Sequence, residues 1–174
     1  MTQAHGTMLA ARAYAGEERF RLERIPVPAI GPGDALVAVR STGITRGLLS
    51  LWAKGRIRLL PATLGHEIAG VVASIGAEAQ GIVVGDRVRV HSPLTLRNDA
   101  YLQRDDEAAS PAVCVIGHAI YGDGAMSLYE QYHNGGLAEY VKVPWWSLDV
   151  LDPSVSFDVG ARIHSLAIAW RLQP

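Results

Sequence analysis

Apolar positions along this chain fall into short runs broken by glycine, proline and aspartate. Residues 9–16 (LAARAYAG) and 18–28 (ERFRLERIPVP) read as two short strands with a turn at Gly16-Glu17. A Pro-Gly-Asp turn then leads into ALVAVRSTG, a strand with β-branched inward positions. TRGLLSLWAKG (45–55) predicts a short helix stopped by Gly55. HEIAGVVASIG is the next strand, and Gly70 inside it marks a bulge or a close backbone approach. After a turn at Val84-Gly85-Asp86, Val88 and Val90 alternate with Arg87 and Arg89, the period of a half-buried strand.

Residues 92–134 lose this regularity, and a long segment without period is a common seat of function. Order returns in GGLAEYVKVPWWSLDVLDP, a glycine turn followed by a strand. The segment 156–173 predicts an amphipathic helix capped by Ser156, with its apolar face through Val159, Ile163, Leu166 and Trp170. The pattern as a whole predicts a mainly β, barrel-like domain with a long irregular insertion and a C-terminal helix.

A length of 174 residues suits one domain, expected at 9–174 behind a loose leader at 1–8 that holds little to bury. The composition, 49% hydrophobic and 19% charged, is that of a globular domain able to fold without disulfides or a structural metal. A formal net charge of −1 argues against nucleic acid or an anionic membrane as a partner. No apolar run reaches the roughly 20 residues of a spanning helix. The first 20 residues lack the basic start and apolar core of a signal peptide. The lone Cys114 can form no internal disulfide. These features point to a cytoplasmic protein. The acidic run Asp105-Asp106-Glu107 reads as a solvated loop tip.

The chemistry concentrates in TLGHEIAGVVASIG, where His66 and Glu67 stand side by side at the mouth of a core strand. Such a pair can bind a metal or move a proton. RSTGIT, LGHEIAGVVASIG, GDRVRVHSP, GGLAEYVKVP and SVSFDVGARIHSLAIAWRL occur in order, and together they resemble the catalytic domain of the zinc-type medium-chain alcohol dehydrogenases. That resemblance implies a GroES-like, partly open β-barrel over residue 9 to the end.

In that family a cysteine, the histidine of Gly-His-Glu and a third cysteine, aspartate or glutamate hold a catalytic zinc. Here the resemblance puts Thr45 at the first position and His164 at the third. Gly47 and Leu48 stand where a proton-relay hydroxyl and aspartate are expected. The cysteines of the family's structural zinc lobe are missing, so no structural zinc is expected. Two readings of the site stay open. His66, Glu67 and His164 form a two-histidine, one-carboxylate zinc set, or they persist without metal as an acid–base site or an inherited polar pair. Thr45 could donate a hydrogen bond to a substrate oxygen, or fill the space of a lost cysteine.

No Gly-x-Gly-x-x-Gly turn follows the closing helix, and YGDGAMS lacks its third glycine, so no NAD(P) site is expected on this chain. Three functions compete. The first is a domain repurposed for non-redox acid–base chemistry on a small carbonyl or hydroxyl compound: isomerisation, elimination, dehydration or cyclisation. The second is the catalytic half of a split or truncated dehydrogenase. The third is a non-catalytic binding module. A homodimer or a separate chain is expected to cover the exposed barrel edge.

Overall fold

The computed structural model describes residues 6–104 and 109–171. Among the described residues, ten strands and three α-helices follow one another. β1 (Thr7–Ala13) pairs antiparallel with β2 (Arg21–Pro26), from Thr7 opposite Pro26 to Arg12 opposite Arg21. Gly16, at φ 74°, makes the turn between them. The short β4 (Ala62–Thr63) flanks β1 on its other edge. The main sheet contains β3 (Asp34–Gly43), β5 (Glu67–Ile75), β6 (Arg87–Val90), β9 (Tyr140–Pro144) and β10 (Leu148–Val150), in the order β10-β6-β5-β3-β9. β7 (Pro93–Leu94) and β8 (Cys114–Val115) form a small separate ladder. The fold is mostly sheet with few helices, and the described sheets are open rather than closed into a barrel.

The period-2 pattern predicted the main sheet because one face of it is buried. Val37, Ile68, Val72, Val88, Val141 and Val143 all point into the principal core. Gly70 makes the close backbone approach its position suggested, and it lies opposite a bulge at Arg40 of β3. A side chain there would strike the Ala38 carbonyl, and the β3–β5 register shifts between Val39 and Ser41. A second cluster gathers Leu48 and Trp52 of α1 (Arg46–Ala53) with Ile57 and Leu64, and Phe20 stacks on Trp52 at 4.7 Å.

Several expectations need correction. β1 begins at Thr7, and Met8 is buried, so the ordered domain starts ahead of Leu9. The irregular region contains a helix, α2 (Met126–Tyr132), which places Leu128, Tyr129 and Tyr132 in the core. Its pattern was missed because seven residues supply only two turns of periodicity. The acidic run 105–107 lies outside the described residues.

The largest correction concerns α3 (Phe157–Arg171). Ser156 caps it as expected, its hydroxyl accepting the Val159 amide at 3.2 Å. Of the expected apolar face, only Ile163 packs against the buried cluster. Val159, Leu166 and Trp170 are exposed (50%, 55% and 74%), while Gly160 and Ala161 are buried against Leu151 and Ala69. A side chain at Gly160 would strike Leu151, so small residues set the approach of this helix to the sheet, and counting large apolar residues placed Val159, Leu166 and Trp170 on the wrong side. Arg87 fixes the entry to α3. It donates to the carbonyls of Pro153 and Val155 and lies 4.6 Å over the Phe157 ring. Among the described residues no helix is long and apolar enough to cross a membrane.

Candidate functional site

His66 is positioned by glycine packing. Gly65 and Gly117 both have positive φ (102° and 59°), and the Gly65 amide donates to the Gly117 carbonyl at 2.8 Å. Gly135 and Gly136 complete the contact, since the Gly136 amide donates to the Gly65 carbonyl at 2.9 Å and a side chain at Gly117 would run into Gly135. Two Gly-His dipeptides are thus laid backbone to backbone. Their rings meet edge to face, with His66 and His118 centroids 4.5 Å apart at 70°. His164, projecting from α3, makes a second edge contact with His66 at 5.9 Å and 87°. His66 is the ring common to both contacts.

Burial dominates the electrostatics. His66 is 7% exposed and its Nδ1 has no hydrogen-bond partner. Desolvation, reinforced by His118 and His164, pushes its pKa down to about 3. Burial also lowers His118, with a contribution from His164. It lowers His164 too, where His91 adds to the effect and Glu67 opposes it. His66 is therefore a neutral imidazole at physiological pH. The Tyr121 hydroxyl lies 3.3 Å from His118 Nδ1 and carries the cluster outward, since Tyr121 is largely exposed.

Glu67 opens β5 and is buried. Its carboxylate accepts the Ser165 hydroxyl from α3, and Gly43 on β3 leaves room for it, because a side chain there would overlap the carboxylate. Thr45 is the N-cap of α1, its hydroxyl oxygen accepting the Leu48 amide at 3.2 Å. That bond uses the oxygen and leaves the hydroxyl proton available to a ligand.

The structure thus brings His66 and His164 together, sets Glu67 on Ser165, and gives Thr45 a helix-capping bond. Among the described residues no three His, Cys, Asp or Glu side chains form a group placed to hold a metal ion. The physical reasons are visible: the carboxylate is turned to a serine, and the rings meet edge to face.

Sequence reasoning passed over His118, Tyr121 and Ser165. His118 carried a usable signal in the second Gly-His dipeptide of the chain. Ser165 carried none, because its partner lies 98 residues away. Chemically, the cluster offers buried neutral imidazoles that can hydrogen-bond an oxygen, beside a carboxylate held by a hydroxyl.

Comparison with known proteins agrees with this architecture. The profile of the alcohol dehydrogenase GroES-like domain matches residues 31–152. L-threonine 3-dehydrogenase of Symbiobacterium thermophilum is 29% identical over 158 residues, covering 88% of this chain and 41% of the relative. Sorbitol dehydrogenase of Rattus norvegicus is 29% identical over 157 residues, with the same coverage of 88% and 41%. The chain thus spans about two-fifths of the length of these relatives. A cobalt- and zinc-bound thermostable alcohol dehydrogenase from Pyrobaculum aerophilum superposes with a TM-score of 0.79 at 22% identity, over 95% of this chain and 49% of that one. Galactitol-1-phosphate dehydrogenase from Escherichia coli gives 0.78 at 20% identity, over 92% and 43%. These structural likenesses show the shared fold, and the profile match shows that the chain belongs to the alcohol dehydrogenase GroES-like domain family.

Proposed function

We propose that this domain binds a small hydroxyl or carbonyl compound at His66, Glu67, Thr45 and His164 and performs non-redox proton transfer on it. The supporting observation is a buried, serine-held carboxylate that acts electrostatically on His164, whose ring packs on a buried imidazole that stays neutral, His66. In this reading Glu67 takes the proton from the carbon beside a carbonyl, the C–H electron pair moves toward the carbonyl oxygen, and that oxygen accepts hydrogen bonds from His66 and His164. The Ser165 hydroxyl steadies the carboxylate, and the Thr45 hydroxyl donates to a second substrate oxygen. Return of the proton from Glu67 to the former carbonyl carbon, while the proton of the hydroxyl on the first carbon passes to the former carbonyl oxygen, completes the isomerisation of an α-hydroxy carbonyl compound. NAD(P) has no role on this chain in this scheme.

A solvent-exchange experiment tests it. The protein is incubated with dihydroxyacetone in D2O, and loss of the proton signal beside the carbonyl is followed by NMR. Glu67→Gln is expected to slow exchange by about 10²-fold or more. Exchange no faster than in buffer, or untouched by Glu67→Gln, overturns the reading.

A second reading is favoured by the length relationship: relatives that extend well beyond this match are dehydrogenases by name. The domain would then be the catalytic half of a zinc-type NAD(P)-dependent dehydrogenase, completed by a nucleotide-binding chain or segment. Zinc supplies Lewis acidity in that chemistry. The described side chains form no set for it, so no step here is assigned to it. Elemental analysis separates the two readings. About one zinc per chain, lost in His66→Ala, would replace the first with the second.

A further inference from the structure

We infer that the substrate handled here carries an oxyanion group, bound in the cavity between the end of α1 and the loop that follows His118. This rests on the proposed cleft only in assigning the anion to the substrate. The cavity has a volume of about 690 Å³. One wall is the segment from Leu51 to Arg58, and the other runs from Ala119 to Asp123. Its charged lining is Lys54, Arg56 and Arg58 against the single carboxylate of Asp123.

That carboxylate is already engaged. Arg58 forms an ion pair with Asp123, which ties the two walls together across 65 residues. Lys54 and Arg56 are left facing the space with no ion-pair partner among the described residues. A concave, doubly cationic lining on a chain of formal net charge −1 concentrates anions locally. Arginine adds a planar donor fork suited to two oxygens of one group.

Continuity with the site comes through Tyr121. It lines the cavity, and its hydroxyl lies 3.3 Å from His118, whose ring in turn packs on His66. A substrate with its carbonyl at His66 and its anionic end beside Lys54 and Arg56 would pass Tyr121. Phosphomonoesters and carboxylates share the required oxyanion, and the test distinguishes them.

The full chain is isotopically labelled and its backbone amides followed by NMR as sodium phosphate is added at pH 7.5, with ionic strength held constant by sodium chloride. Sodium acetate is titrated in parallel. The expected result is saturable shifts at Lys54–Arg58 and Tyr121–Asp123, at least tenfold weaker in Arg56→Gln and in Lys54→Gln/Arg56→Gln. Saturation by phosphate alone assigns a phosphomonoester, and saturation by both assigns a carboxylate-tolerant site. Shifts that do not saturate with either anion, or that persist unchanged in the double variant, overturn the inference. Inorganic phosphate needs no chemistry at His66. Loss of binding therefore rejects the anion site alone, while failure of the proton-exchange assay with phosphate binding intact rejects the reaction alone.

Discussion

The hydroxyl of Ser165 on α3 donates to the carboxylate of Glu67 at the start of β5, joining two positions 98 residues apart in sequence. The bond closes the helix over the end of the main sheet. It also explains why a carboxylate can be kept at 5% exposure without an ion pair. Ser165→Ala would leave the buried carboxylate short of a partner and destabilise the fold by about 1–3 kcal/mol. Urea unfolding of the two proteins measures this, and Glu67→Gln should not add its full separate cost to Ser165→Ala, because the two residues share one interaction.

Acid should weaken the protein through His66. Burial depresses its folded pKa to about 3, whereas the unfolded chain titrates near 6.5. Below about pH 6.5 the unfolded state therefore binds a proton that the folded state refuses. The stability present above that pH falls progressively as the pH drops toward 3. Unfolding midpoints at pH 7.5 and 5 should differ more in the wild type than in His66→Asn. Equal slopes in the two proteins would show that His66 does not titrate in this way.

Cys114 should be chemically silent while the protein is folded. It is fully buried in the main core, and desolvation pushes its thiol up to about 12. At pH 8 a disulfide reagent should release no colour from native protein and one equivalent per chain in denaturant, this being the sole cysteine. Rapid reaction of the native protein would contradict the packing of β8 against β7.

Two glycines predict opposite outcomes. Alanine at Gly70 drives its methyl into the Ala38 carbonyl, a backbone atom that cannot swing aside, and should cost about 1–3 kcal/mol or more. Alanine at Gly47 meets nothing closer than the Thr45 hydroxyl at 4.0 Å and should stabilise α1 by about 0.4–1 kcal/mol. Thermal unfolding of both variants compares them directly, and a shift of the same sign in both would refute the contrast.

The sheet was legible in the sequence because its evidence is local. Val88 and Val90 alternate with Arg87 and Arg89 whatever lies elsewhere in the chain, and Thr45 and Gly55 bracket a helix by their own backbone preferences. His66 and Glu67 stood out for the same reason, as ionisable groups at the head of an apolar run. The rest depended on which distant segments touch. Small residues, not the large apolar ones, turned α3 so that Gly160 and Ala161 face the sheet and Trp170 faces outward. Four glycines from three segments packed two Gly-His dipeptides together and made a neighbour of His118. The sequence by itself determined the strands of the main sheet, the ends of α1, the start of α3 and the His66–Glu67 half of the candidate site. Tertiary structure decided the other half, because close backbone approach between segments far apart in the chain leaves no period along it.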